Sequence, residues 1–285
     1  MDEITFHALD ARTVLPYRQY LLPQCLENAD EQYLGAAAGR FACAAAAFHT
    51  DGGAASLDSL FVDPLVRGRG IGTELMRRAV SAAKAQGAET LTLSYVLDGE
   101  ELDAMDRLVR AMGAQPRFTA PVYTVDTASL HTHPLLGEAF RFSFHQREQI
   151  VTFQELDKEQ RSLLDTAPEI PAFVRPARRT AADGSLSFAW LTDDGRVGAY
   201  LLGCESTQGE YTLLAAWRGA AAPPDAFHAL LLAQLHRCFY RCGGDYLYHM
   251  SAATARSEAL VQRYTGGAYR RREAHEAHIR LTDAI

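Results

Sequence analysis

Leu57-Asp58-Ser59-Leu60-Phe61-Val62-Asp63-Pro64-Leu65-Val66-Arg67-Gly68-Arg69-Gly70-Ile71-Gly72-Thr73 is the stretch on which the reading of this chain turns. Ser56 to Val62 reads as a strand, and Pro64 closes it because proline has no N–H for a ladder. Three alternating glycines then precede apolar residues at 75, 76, 79, 80 and 83, a helical spacing that Gly87 stops. Glycine admits positive φ and carries no Cβ, so successive amides can turn toward one centre. The first amides of a helix have no internal partner and sit at the positive end of its dipole. With Arg67 and Arg69 alongside, the loop suits a diphosphate. A Walker loop is excluded because no lysine follows the glycines. A dinucleotide fingerprint is excluded because Thr73 stands at the third glycine place and the loop begins several residues past the strand.

Outward from this stretch, Ile4 to Leu9 reads as a strand and Asp10 to Asn28 as a helix capped by Asp10. Gln32 to Ala38 and Phe41 to His49 form a hairpin around Gly39-Arg40. Leu91 to Val96 is a strand, Glu100 to Met112 a helix ending at Gly113, and Arg117 to Val125 a last strand or hairpin. Beyond a linker the same succession restarts. It comprises a strand at Gln149 to Leu156, a helix at Asp157 to Thr166, and a hairpin of Ser185 to Leu191 with Val197 to Cys204. A strand at Tyr211 to Trp217 and a helix at Asp225 to Cys242 follow, then elements at Asp245 to Met250, Arg256 to Tyr264 and Ala268 to Leu281. The expected class is α/β (α+β), two tandem domains, each a mixed, mostly antiparallel sheet flanked by helices. The expected boundaries are 1–126, a linker at 127–148, and 149–285.

The length of 285 residues accommodates two cores, and 48% apolar with 22% charged residues is a globular mixture. A net charge of -7 gives no general attraction for nucleic acid or anionic lipid. The acidic start at Asp2-Glu3 and the lack of a long apolar run predict a cytoplasmic protein with no membrane partner. Five cysteines, odd in number and set among apolar neighbours, predict reduced core residues. Cys238 and Cys242 share a helix face, but His236 and His249 lack the spacing of a zinc site, so no metal is expected.

Arg67-Gly68-Arg69-Gly70-Ile71-Gly72 matches a signature of Arg or Gln, two residues, Gly, one residue, then Gly or Ala. With its flanking strand and helix, the region from about Ile4 to Val125 resembles the GCN5-related N-acetyltransferases (GNAT). The resemblance implies an acetyl-CoA cofactor and a small-molecule or N-terminal amine as acceptor. Leu60, Phe61 and Val62 would hold the pantetheine arm between two splayed strands. Arg67, Gly68, Arg69, Gly70, Ile71, Gly72 and Thr73 would hold the pyrophosphate, and the Val62 amide would polarise the thioester carbonyl.

The catalytic groups are less defined. The family often places a tyrosine four residues before the glycine that ends the second helix, and here that place is Val109. Tyr95, on the strand facing the expected cleft, is the substitute; its alternative is plain core. Asp58, on the cofactor strand, is the expected proton acceptor, against a solvated polar position. In the second half the corresponding loop is Trp217-Arg218-Gly219-Ala220-Ala221-Ala222-Pro223-Pro224-Asp225. Two prolines remove amide donors and Asp225 brings negative charge to the helix start, so that copy is expected to keep the fold without the cofactor. A catalytically silent acyl-CoA-binding regulator stands as the alternative to an enzyme.

Overall fold

The computed structural model describes residues 3–281 apart from positions 23, 24, 27, 134–147, 180, 208, 243, 244 and 253. In chain order the elements are β1 (Ile4–Leu9), β2 (Gln32–Ala38), β3 (Phe41–Asp51), β4 (Ala54–Val62), α1 (Ile71–Ala85), β5 (Thr90–Leu97), α2 (Gly99–Ala111) and β6 (Arg117–Asp126). They continue with α3 (Thr127–Thr132), β7 (Ile150–Thr152), α4 (Lys158–Thr166), β8 (Phe188–Leu191), β9 (Val197–Thr207), β10 (Glu210–Arg218), α5 (Ala226–Cys242), β11 (Leu247–Ser251), α6 (Ala255–Thr265) and β12 (Arg270–Arg280). Two compact units result, Met1–Ala120 with Glu273–Ile285, and Pro121–Arg272.

In the first unit the strand order is β1-β2-β3-β4-β5-β12, antiparallel throughout except for the parallel pair β4–β5. In the second it is β6-β11-β10-β9-β8-β7, again with one parallel pair, β10–β11. Each sheet is therefore mixed and mostly antiparallel, with helices packed on it, as the order of elements implies. The stripe Ile71, Leu75, Met76, Ala79, Val80 and Ala83 buries α1 against Ala44, Ala46, Phe48, Leu57, Leu91 and Leu93. On the other face, Val14, Tyr17, Leu21 and Cys25 cover Ala45 and Ala47.

Several boundaries differ from the sequence reading. Asp10 does cap locally, its Oδ1 accepting from the amides of Arg12 and Thr13, but among the described residues the helix expected over Asp10 to Asn28 is broken into a short 3-10 turn, Leu15–Tyr20, and helical residues at Cys25 and Leu26. Pro16 at its first turn brings no amide donor. The strand expected to reach Leu156 stops at Thr152, where the Glu155 carboxylate takes the Thr152 N–H and hydroxyl and turns the chain. The expected linker at 127–148 begins instead as α3, tied by reciprocal Thr127–Tyr246 hydrogen bonds of 2.7 and 2.8 Å; the rest of it, 134–147, lies outside the described residues.

The largest correction concerns the domain boundaries. β12, read as the last strand of the second half, pairs with β5 from Glu273↔Leu97 to Arg280↔Thr90 and buries Ala277 and Ile279 in the first core. β6, read as the last strand of the first half, pairs with β11 from Val122↔Ser251 to Asp126↔Leu247. Each unit is thus closed by chain that sequence order assigns to the other. Strand pairing depends on edge and register, not on proximity along the chain, so periodicity carries no record of it.

The two units repeat each other in register. β4 pairs with β5 over Ala54–Leu57, and β10 with β11 over Glu210–Leu213. One extra residue follows in each, Asp58 and Leu214, opposite register shifts in β3 and β9. Replacing Ile279 with Ala should cost about 2–5 kcal/mol. Denaturant unfolding should show this loss, with faster amide exchange in residues 90–97; faster exchange confined to residues 121–272 would contradict the assignment of this strand.

Candidate functional site

The parallel pairing of β4 with β5 ends at Leu57↔Leu93, while β5 stays paired to β12 as far as Leu97. Beyond that point β4 follows β3 and β5 follows β12, so the two part and a gap opens between them. The parting coincides with the bulge at Asp58, the residue on β4 left without a partner between Leu57↔Phe48 and Ser59↔Ala47. A bulge bends and twists its strand. It also resets the alternation, so Leu57, Leu60 and Val62 all pack toward the core with α1, while Phe61 faces the other side and stacks on Tyr20 at 5.7 Å. Asp63 N–H donates to Cys43 O at 2.9 Å, and by the two-residue alternation of an antiparallel ladder the Val62 N–H points to the opposite edge, into the gap.

The loop after β4 is fixed at its base. Asp63 Oδ1 accepts from the Leu65 amide, Tyr20 OH donates to Asp63 Oδ2, and Arg67 Nε donates to Val62 O at 3.0 Å. Arg67 also pairs with Glu101 at 3.0 Å and lies over the Phe61 ring. Gly68 and Gly70 adopt φ of 78° and 76°, the left-handed region open to glycine, and α1 starts directly afterwards. Among the described residues no acceptor within the chain meets the amides of Gly68, Gly70, Ile71, Gly72 and Thr73. Five donors without partners at a helix start form an anion cradle. Gly72 sits close under β4, where a Cβ would stand 3.5 Å from Val62.

Asp58 projects on the face away from α1. Its Oδ2 lies 2.6 Å from His49 Nδ1 and its Oδ1 accepts from Ser56 Oγ at 2.8 Å. Glu31, just before β2, brings a carboxylate 3.9 Å from the same His49 nitrogen, and the three side chains place ligand-type atoms within 4.8 Å of one another. Glu31's side chain is 2% exposed, against 34% for His49 and 29% for Asp58. Asn28 Nδ2 donates to Glu31 Oε2, while Oε1 is buried without a partner. Burial, with the Asp58 charge beside it, pushes the Glu31 carboxyl up to about 7. A cavity of about 360 Å³ adjoins it, lined by Asp10, Arg18, Asn28, Glu31 and Tyr33 among others.

Tyr95 lies on the opposite face, in the core shared with α1 and α2. Its hydroxyl donates to Asp106 Oδ1 at 2.7 Å, and burial together with that carboxylate raises its pKa. His275, delivered by β12, completes the group. Its Nδ1 is 3.2 Å from Asp106 Oδ1, an ionic approach without hydrogen-bond alignment, and its ring sits between Tyr95 and Phe118. Val109 is fully buried. The structure therefore does not bring Asp58 and Tyr95 together but sets each in a polar group of its own, on either side of the sheet that the gap interrupts. Glu31, His49, Asp106 and His275 were not singled out from sequence. Nothing along the chain joins 31 to 49 or 106 to 275; only pairing does.

At the matching place in the second unit the frame is the same and the side chains differ. Leu214 stands where Asp58 does and packs in an apolar cluster, and Cys204 takes the register position of His49. The loop amides of Gly219, Ala222 and Ala226 bond to Gly198, Gly219 and Pro223 carbonyls, and Arg218 caps Ala222 O.

Residues 5–113 match the model of the acetyltransferase (GNAT) family, a stretch that lies within the first unit. A tandem GNAT protein from the clavulanic acid biosynthesis pathway, solved without AcCoA, matches with a TM-score of 0.68 at 17% identity, over 98% of this chain and 99% of that one. A GCN5-related N-acetyltransferase from Sphaerobacter thermophilus matches with a TM-score of 0.63 at 16% identity, over 98% and 97%. At these identities the likeness is one of fold. No curated protein sequence matches the chain.

Because Glu31 is raised from 4.5 to about 7, the folded protein holds a proton in that window that the unfolded chain has released. Stability then falls as pH rises from about 4.5 to about 7. Glu31→Gln should abolish this slope and raise the stability above pH 7 by on the order of 2 kcal/mol, read from melting curves between pH 5 and 8. An unchanged slope would show that Glu31 ionises normally.

Proposed function

We propose that the first unit is an acetyl-CoA-dependent N-acyltransferase acting on a small-molecule or N-terminal amine by direct transfer in a ternary complex. The observation that carries this reading is the row of amides at Gly68, Gly70, Ile71, Gly72 and Thr73, left without acceptors beside a gap in the sheet. Acetyl-CoA, when bound, supplies an acyl group on a thioester, an electrophile ready for an amine. Arg67 to Thr73 bind the diphosphate, with Arg69 adding charge, and Leu60, Phe61 and Val62 line the arm's path. The Val62 N–H, turned into the gap, is placed to polarise a carbonyl there. The placement of the two polar groups supports a division of labour: the Asp58 side takes the proton from the amine, and the Tyr95 side lies by the leaving sulfur. Since the Tyr95 proton is committed to Asp106, the thiol departs as thiolate, which its ordinary pKa of about 8.5 permits.

In the second unit the paired loop amides and Leu214 support a role for the fold without a cofactor. The protein is proposed to be cytoplasmic, with no nucleic-acid or membrane partner; among the described residues no helix is long and apolar enough to cross a membrane. The burial of Val109, where the family's tyrosine often stands, favours a second reading as a silent acyl-CoA-binding regulator. Both readings require CoA binding and part on turnover: release of free thiol with any member of a broad amine panel supports the enzyme, and tight binding without release supports the regulator.

Gly70→Asp adds a negative charge among the unpartnered amides and a Cβ that meets no atom within 4 Å, at the cost of some backbone strain at φ 76°. CoA affinity by calorimetry should drop at least about 100-fold with little change in melting temperature; unaltered affinity would remove the basis of the assignment. Tyr95→Phe should lower kcat by no more than a few fold, because its proton serves Asp106. A loss near 100-fold or greater would instead make Tyr95 the acid.

A further inference from the structure

Three features of the polar group on β3 and β4 point past Asp58 to its neighbour. First, Asp58 already has its oxygens engaged: Oδ1 by Ser56 Oγ at 2.8 Å and Oδ2 by His49 Nδ1 at 2.6 Å. Second, the acceptor role of that carboxylate fixes the imidazole, since Nδ1 must carry the hydrogen and Nε2 is left with a bare lone pair. Third, His49 Nε2 has no partner among the described residues, and the ring is one-third exposed. A base oriented by a carboxylate and open at its far nitrogen is the arrangement that activates a nucleophile in hydrolase triads, where the carboxylate itself stays ionised.

We propose that His49 is the group that takes the proton of the acceptor amine, with Asp58 as its positioning residue. The proposal rests on the acyltransferase reading. The Nε2 lone pair accepts one proton from the ammonium of the acceptor, whose N–H bond breaks and leaves the nitrogen pair free. That pair forms the C–N bond to the acyl carbon, the C–S bond breaks with its electrons on sulfur, and the second amine proton goes to the thiolate. Charge and atoms balance as ammonium plus thioester giving amide, thiol and one proton on His49. His49 faces Glu31 from just before β2, Asp58 and Ser56 from β4, and the buried Cys25 thiol beyond Glu31, itself pushed up to about 12 by burial and the two carboxyls. Asp10 and Arg18 are the remaining charges on the adjoining cavity.

The second unit supports the pairing of the two residues. Where the frame repeats without an anion cradle, both positions change together, to Leu214 and Cys204.

The test is His49→Asn, whose amide nitrogen can still donate to Asp58 while the far nitrogen is gone. With wild-type protein turning over an amine of the panel, the variant should retain CoA affinity by calorimetry and lose about 100-fold or more in kcat. The acidic limb of its pH profile should also disappear. Asp58→Asn should lose less, and imidazole nitrogen NMR should show His49 as the Nδ1–H tautomer in wild type and a mixture in Asp58→Asn. A His49→Asn enzyme within threefold of wild type, or a wild-type Nε2–H tautomer, would overturn the proposal and return the base to Asp58. Wild-type protein that binds CoA and turns over no amine would overturn the acyltransferase reading instead, and would do so before any variant is compared.

Discussion

One extra residue in β4 governs the architecture of the first unit. Because Asp58 has no partner across from β3, the strand bends, its parallel ladder with β5 stops at Leu57, and the Val62 amide is left pointing into space. An open ladder edge inside a sheet is costly unless something else takes its hydrogen bonds. The glycine loop immediately downstream adds further amides of the same kind, so the unpaired donors of strand, loop and helix all lie along one path. The ligand proposed above, with carbonyls at one end and a diphosphate at the other, would meet both sets at once.

The second unit provides an internal comparison. It carries the same bulge, the same truncated parallel ladder and the same succession of strand, loop and helix, yet the amides of Gly219, Ala222 and Ala226 find acceptors within the chain and its bulge residue is leucine. Frame and side chains are therefore separable: the bulge recurs in both units, while the Asp58–His49 pair occurs at it only in the first. Charge follows the same division. Arg67 and Arg69 flank the first loop, and Asp225 opens the corresponding helix in the second, where an anion would be repelled.

The exchange of closing strands gives the tandem arrangement a physical consequence. β12 brings His275 against Asp106 and Tyr95, so the polar group by α2 exists only when the end of the chain has folded. Ala277 and Ile279 from the same strand lie in the core beside Leu91 and Leu93. The first unit's site is in this sense dependent on residues more than 140 positions beyond its own last element, and the stability of its sheet edge depends on them too.

The sequence by itself determined the local elements that carry strong periodic or capping signals: α1 from its apolar stripe, α4 from Asp157 and Gln160, the glycine loop from its alternation, and the repeat from the order of strands and helices. It also determined the row of amides without acceptors at Gly68 and from Gly70 to Thr73, because glycine and a helix start fix amide direction over a few residues. It did not determine the extent of the first helix, where Pro16 and the Asp10 turn overrode periodicity. Nor did it determine which strand closes which sheet, or that Glu31 and His49 stand beside Asp58 and His275 beside Tyr95. Those contacts join segments by strand pairing, whose register and partner are chosen by the assembled core and leave no spacing along the chain; only the tertiary structure decided them.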